Sequence, residues 1–395
     1  MERSSRRRFV RDVATLGALW PLGTSACCFG ASAPNVEAPP SSAPSPPLAP
    51  PIWEPARTVV FAAGLLRWAR ADLYDSFPRV ERRDQALVDA LIARGVDRSR
   101  ITFLRDEHAT LAAAREGLRA AIDAAGREDT FLFYWAGHGD RIESGASFAC
   151  PFDAGDESST SCFAYDEIVR TVEEHGRMRH AIFFADTCYS GAIADAVMAR
   201  RGGPARAGFG ASSASESSTG AWTFTDAIIA AFTGMANADR DRDRVVTVSD
   251  LSRFVQEEMA FADGQLASVR ETEQFPLMLQ LAGAEAAPCA RFGERVEVLQ
   301  DGTWWPATIT GEPDGQLAVH YDGYTARWDA TVDAADTRPY APTAYAPGTR
   351  VSVRWNDDWF PATVREVRLG VHHVHYDDYA ETWDEWVAID RVRPA

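Results

Sequence analysis

Phe131-Leu132-Phe133-Tyr134-Trp135-Ala136-Gly137-His138-Gly139 is an apolar run that ends in small residues around one imidazole. Ala181-Ile182-Phe183-Phe184-Ala185-Asp186-Thr187-Cys188-Tyr189-Ser190-Gly191 follows the same plan around one thiol, fifty residues further on. Runs that are apolar at nearly every position read as strands buried on both faces. A buried strand that breaks into glycine beside a reactive group is how an α/β sheet presents chemistry at the carboxyl ends of its strands. A thiol and an imidazole delivered in this way make a nucleophile and its base.

The surrounding segments alternate in type. Thr58 to Leu66 reads as a buried strand, and 82–92 spaces its apolar residues as a helix ending near Gly95. Strand Ile101 to Leu104, helix Leu111 to Ala125 and strand Thr130 to Trp135 follow, with a helix at 166–174 before strand Ala181 to Ala185. Beyond Cys188 come a helix at Ala192 to Ala199, a strand at Ala207 to Ser213 and helices at Thr223 to Phe232 and Ser249 to Met259. Phe275 to Leu281 is expected to supply the last strand. This alternation predicts an α/β domain over 57–285, a mostly parallel sheet with helices on both faces.

Gly137-His138-Gly139 and Asp186-x-Cys188-x-Ser190-Gly191, each after an apolar strand, resemble the catalytic segments of caspase-like cysteine peptidases, in particular the metacaspase and bacterial orthocaspase branch. The resemblance implies that Cys188 attacks the peptide carbonyl and that His138 takes up and returns the proton. It assigns the oxyanion hole to the backbone N–H groups of Gly139 and Cys188. In that branch an aspartate at the position of Asp186 pairs with the substrate's Arg or Lys, and a charge beside a buried strand has no other evident partner in the sequence. Asp84 matches a second acid of that pocket, and it reads equally as a helix N-terminal carboxylate stabilising the macrodipole. A basic-specific peptidase can process itself, and Arg200-Arg201-Gly202-Gly203 lies in the loop after the catalytic helix, so cleavage after Arg200 or Arg201 is expected. No cofactor is required by this chemistry.

Asp239, Asp241 and Asp243, with Asp250 at the twelfth position, resemble a calcium loop between two helices. Arg244 stands where such a loop carries glycine, and the arginines at 240, 242 and 244 dilute the negative field. A metal site and a solvated turn both stand.

Two segments near the C-terminus match at an offset of 55 residues, Gly293-x-x-Val296-x-Val298 with Gly348-x-x-Val351-x-Val353 and Val319-His320-Tyr321-Asp322 with Val374-His375-Tyr376-Asp377. A repeat of this length, rich in strand residues and turn signals, reads as two small all-β barrels at 291–340 and 346–395. The pattern resembles Tudor-like and chromo-barrel modules, with 383–387 the closest stretch. That resemblance implies aromatic cages holding a cation by cation–π attraction: Trp305, Tyr321, Tyr324 and Trp328 in the first, Phe360, Tyr376, Tyr379 and Trp383 in the second. Small barrels also need aromatic residues in their cores. His372, His373 and His375 suggest metal ligation, but strand alternation sends His372 to the opposite face, and a strand accounts for them.

Ser5-Arg6-Arg7-Arg8-Phe9, followed by the apolar stretch to Leu22, resembles a twin-arginine export signal over 1–32. Cleavage before Cys27, leaving it as a lipid anchor, and cleavage after Ala33 are both open. Residues 33–56 are rich in Pro, Ala and Ser and read as a linker. Export implies a periplasmic, envelope-anchored or secreted protein, and it would permit a disulfide between Cys150 and Cys162, a pairing the sequence leaves open. The formal net charge of -17 over 395 residues argues against nucleic acid as partner. The reading is thus a cysteine endopeptidase acting on peptides or proteins after Arg or Lys, whose barrels bind a protein or envelope ligand. The alternative is a catalytically silent scaffold that works through its barrels.

Overall fold

The computed structural model describes residues 50–77, 82–214, 221–322, 324, 326–341, 344–355 and 358–395. The export signal, both cleavage sites, Cys27, Cys28 and most of the linker lie outside them. Ile52 and Trp53, which composition assigns to the linker, already belong to the domain. Ile52 bridges to Gln280, and Trp53 is buried edge-on to Phe232 with its indole N–H donating to Thr58 Oγ1.

The elements run β1 (Thr58–Gly64), α1 (Arg83–Ala93), β2 (Ile101–Arg105), α2 (Leu111–Ala124), β3 (Thr130–Ala136), then a small sheet of β4 (Gly139–Arg141), β5 (Ser147–Ala149) and β6 (Phe163–Ala164) that also encloses α3 (Ser158–Ser161). Next come α4 (Tyr165–His175), β7 (His180–Asp186), α5 (Gly191–Ala199), β8 (Ala205–Gly210), α6 (Thr223–Thr233), β9 (Val245–Thr247), α7 (Val248–Ala262), β10 (Ser268–Glu271) and β11 (Gln280–Gly283). The main sheet has the order β10-β8-β7-β3-β1-β2 and is parallel except for β10.

Side-chain alternation divides the core. Val60, Ala62, Leu132, Tyr134, Ile182 and Phe184 point toward α1, α6 and α7. Val59, Phe61, Phe131, Phe133, Ala181 and Phe183 point toward α2, α4 and α5. Both faces are covered, which is why the central strands read as unbroken apolar runs.

The expected last strand is corrected. Residues 275–279 form turns, with Phe275 N–H donating to Thr272 O and Leu279 N–H to Pro276 O, and the side chains of Phe275 and Leu279 pack into the core from a loop while Leu277 and Met278 are exposed. Gln280–Gly283 pairs with β9 in a separate two-stranded sheet, and the edge of the main sheet is β10. None of the four residues of β10 is buried, so no apolar run announces it.

The C-terminal repeat forms two five-stranded antiparallel sheets. The first comprises β12 (Arg295–Gln300), β13 (Thr303–Gly311), β14 (Leu317–Tyr321), β15 (Ala330–Val332) and β16 (Thr337–Pro339) in the order β15-β14-β13-β12-β16. The second, β17 (Arg350–Trp355), β18 (Asp358–Arg368), β19 (Val371–Tyr376), β20 (Glu385–Val387) and β21 (Val392–Pro394), repeats that order. Each encloses its own valine-rich cluster. Both pack on the C-terminal half of α7: Arg295 pairs with Glu258 and lies 4.6 Å over the Phe261 ring, while Val371 and Trp386 meet Ala260 and Leu266.

Candidate active site

β3 and β7 are paired in parallel with Ala136 opposite Asp186, so His138 and Cys188 each stand two residues beyond the same rung. Gly137 N–H extends the pairing by donating to Asp186 O at 3.2 Å. The two chains then touch: a Cβ at Gly139 would lie 2.1 Å from the Cys188 carbonyl oxygen, a distance no side chain tolerates. Glycine is required there because the backbone at the start of β4 is pressed against the backbone of Cys188. The thiol segment is braced from below, with Tyr165 and Thr187 hydroxyls bonded to each other and Thr187 Oγ1 donating to Cys188 O at 2.9 Å. Ser190 and Ser212 bond reciprocally through their hydroxyls and N–H groups, tying the start of α5 to the end of β8. Cys188 itself is partly exposed.

His138 is gripped by rings. Trp68, Phe77 and Tyr74 lie 4.4, 4.6 and 5.6 Å from its centroid. Its Nε2 lies 2.8 Å from the carbonyl oxygen of Asp75. A carbonyl can only accept, so Nε2 carries the proton and the lone pair of the neutral ring is on Nδ1. Burial among the rings pushes the imidazole pKa below its ordinary value, and the Asp75 carbonyl works in the opposite direction. Neither Asp75 nor the three rings was legible in the sequence. A backbone carbonyl has no residue signature, and the 65–77 loop has no period.

Asp186 has a partner after all. It is buried, and Oδ2 accepts from Thr225 Oγ1 of α6 at 2.6 Å, with the Tyr134 hydroxyl 2.8 Å further along the chain of bonds. Even-numbered residues of β7 face α6, which is why its carboxyl lies under that helix. Burial pushes its pKa up to about 7. Asp84 is also buried, and its contacts are with the helix start and with Arg82. It accepts from Gln85 N–H at the first turn of α1, and it takes a charge-assisted bond from Arg82 at 2.6 Å. Its Oδ2 occupies the space a Cβ on Gly64 would need, so it sits tight under the end of β1. Arg82 reaches Asp106 as well, at 2.7 Å, and donates to Gly64 O. Asp84 and Asp186 both raise the pKa of Tyr134, after the larger effect of its burial, so both carboxyls lie near its hydroxyl.

Arg200 is engaged by Glu173 and Asp166 at 3.0 and 2.7 Å, and its carbonyl accepts from the buried Arg206; Arg201 is exposed. Cys150 and Cys162 are buried free thiols, so the bridge that the sequence left open is not formed here. Asp239, Asp241 and Asp243 draw together, whereas Asp250 does not join them. Its Oδ2 accepts from Thr247 N–H and Oγ1, closing a capping box at the start of α7.

In the first barrel Trp305, Tyr324 and Trp328 are exposed and nearly perpendicular in sequence, Trp305 to Tyr324 at 6.0 Å and 83°, Tyr324 to Trp328 at 6.4 Å and 73°. Tyr321, expected in the same cage, is in the barrel core, because Leu317, Val319 and Tyr321 share the inward face of β14. Tyr376 is its counterpart, buried with its hydroxyl on Glu385, while Phe360 and Tyr379 stand at 6.3 Å and 80° and Trp383 is exposed. His320 and His375 each bond an aspartate through Nδ1, Asp329 at 2.6 Å and Asp384 at 2.7 Å. These are repeated strand contacts, and no histidine cluster with ligand spacing occurs among the described residues.

Cys188 and His138 thus stand just beyond adjacent strand ends of a parallel sheet. A family model of the caspase domain matches residues 76–283, and the chain belongs to that cysteine peptidase family. An Agenet-domain model, of the Tudor-like group, matches residues 293–342, the first barrel. Solved structures similar to the chain include GSU0716 from Geobacter sulfurreducens, with 13% identity, 58% of this chain and 100% of that chain covered and a TM-score of 0.42. Caspase-1 from Spodoptera frugiperda shows 13% identity, 62% and 98% coverage and a TM-score of 0.40. AGD34 of Arabidopsis thaliana AGDP1 shows 18% identity, 26% and 81% coverage and a TM-score of 0.14. No curated protein matches the chain.

Proposed function

We propose that the protein is a cysteine endopeptidase of the metacaspase-like branch that hydrolyses peptide bonds after Arg or Lys. The observation that carries this reading is the shared rung of Ala136 and Asp186, from which His138 and Cys188 both emerge, with the backbone of Gly139 against that of Cys188. Cys188 attacks the carbonyl, and its proton passes to Nδ1 of His138, the nitrogen left free by the Asp75 carbonyl. The protonated ring then delivers a proton to the leaving amine, and water releases the acyl group from sulfur by the reverse sequence. Gly139 and Cys188 N–H groups hold the oxyanion. Preference for a basic side chain is supported by three carboxyls, Asp84, Asp106 and Asp186, set around the ends of β1 and β7 with one guanidinium, Arg82, among them. Self-processing falls after Arg201, since Arg200 is held by two acids. The barrels bind a protein ligand through exposed aromatic walls suited to a cationic group, and the N-terminal signal exports the protein, with Cys27 a candidate lipid anchor.

Hydrolysis of an arginyl fluorogenic peptide, compared with lysyl and aspartyl peptides, tests the reading. Turnover of the arginyl or lysyl peptide that disappears in Cys188→Ala is expected. Absence of turnover on all three, with thiol reductant present, would leave the scaffold role.

A further inference from the structure

The loop between α6 and α7 holds a feature that peptide hydrolysis does not use. Asp239, Asp241 and Asp243 each bring one potential ligand oxygen within 4.8 Å of the others, the only such cluster among the described residues. Clustered surface acids alone mean little, because water and salt screen them. Asp239 is different, since it is only 7% exposed. Its Oδ2 accepts from Arg244 N–H at 2.9 Å, whereas its Oδ1 is buried without a hydrogen-bond partner among the described residues. A carboxylate oxygen in that condition is costly unless a donor or a cation completes it, and beside two further carboxylates a cation suits it best.

The sequence raised two objections, and the structure answers both. Among the described residues none of the interleaved arginines forms an ion pair with the three acids, and each guanidinium is bonded elsewhere. Arg240 pairs with Glu257, Arg242 donates to the carbonyls of Ala290 and Phe292 at 2.7 and 3.3 Å, and Arg244 donates to Ala284 O at 3.4 Å. Nor does the missing glycine prevent the turn. Arg244 takes the left-handed conformation that the sixth position needs, at φ 74°, at a strain of roughly 1–2 kcal/mol. Asp250 anchors rather than ligates: its Oδ1 accepts from Arg240 N–H at 3.2 Å while Oδ2 caps α7, fixing the start of the loop to the helix.

We propose that Asp239, Asp241 and Asp243 bind one calcium ion, and that the ion stiffens the joint between the peptidase domain and the first barrel. Calcium accepts six to eight oxygen ligands in adaptable geometry, so three carboxylates can be completed by backbone carbonyls and water. The same loop grips the connecting segment through Arg242 on Ala290 and Phe292, so ordering the acids orders the joint. With only three protein carboxylates, the affinity belongs to the weak class of extracellular modules, a Kd on the order of 10⁻⁴–10⁻³ M.

Calorimetric titration of the full chain with calcium chloride tests the binding, and trypsin cleavage after Arg291 tests the joint. Both are done in the Cys188→Ala background, so the result does not depend on peptidase activity. One binding event is expected, weakened at least about tenfold in Asp241→Asn/Asp243→Asn, which alters only exposed carboxylates. Calcium should slow cleavage at Arg291 several-fold in the parent and leave the double variant unaffected. No heat with calcium up to about 10 mM, or equal binding by parent and double variant, overturns the site. Binding with unaltered cleavage at Arg291 overturns the role at the joint.

Discussion

Replacing Asp186 by asparagine separates what this carboxyl does to the fold from what it does for a substrate. Its pKa stands at about 7 against an ordinary 3.8, chiefly because burial under α6 denies the charged form its water. The folded state therefore binds the proton more tightly than the unfolded chain, and stability is lost as pH rises from about 4 through 7. At about 1.4 kcal/mol per pH unit, the ceiling on that loss is about 4 kcal/mol by pH 8. Asparagine keeps an acceptor for Thr225 Oγ1 and removes the charge, but its new amide donor is left to find a partner at a cost of about 1–3 kcal/mol. The variant should accordingly be more stable than the parent by about 1–3 kcal/mol at pH 8, with the advantage shrinking and reversing near pH 4. Guanidinium denaturation of both proteins across that range measures the difference. A difference that is constant with pH, or one that grows toward acid, refutes the burial argument. On an arginyl peptide the same variant is expected to lose at least about tenfold in kcat/KM, because an amide dipole replaces a carboxyl facing a guanidinium. Unchanged kcat/KM would mean that the carboxyl serves only the fold.

Gly139→Ala should fold yet lose about 10²–10³-fold in kcat/KM, since its Cβ would displace the Cys188 carbonyl and with it an oxyanion donor; activity within threefold of the parent would contradict the backbone contact. Because the His138 pKa is lowered by burial, the neutral base persists below the usual imidazole range, and the acid limb of the kcat/KM profile should lie below about pH 6.5. Phe77→Ala exposes the ring and should move that limb upward; a limb that stays in place refutes the role of the rings. His180 is buried beside Phe275 and Arg179, with its pKa lowered to about 4. The unfolded chain protonates first, so stability falls as pH drops from about 6.5 to 4, by up to about 3 kcal/mol, and His180→Phe should flatten that fall in acid denaturation curves.

The central strands were legible because burial on both faces leaves no room for polar residues, so β3 and β7 declared themselves as apolar runs, and the glycines beside His138 and Cys188 marked where they end. The barrels were legible through repetition, which copies a pattern whatever its period. β10 was not, because an edge strand with no buried side chain carries no hydrophobic signal. The sequence by itself thus determined the α/β class, the placing of a thiol and an imidazole just past strand ends, and the duplicated module, all properties of local pattern. Only the tertiary structure decided what depends on contacts between distant segments: that Asp75 offers a carbonyl to His138, that Asp186 lies under α6 against Thr225, and that Tyr321 turns into the barrel core. It also decided that the arginines beside Asp239 turn away from it. A side chain's charge is written in its residue name, but its partner and its exposure to water are set by what packs over it.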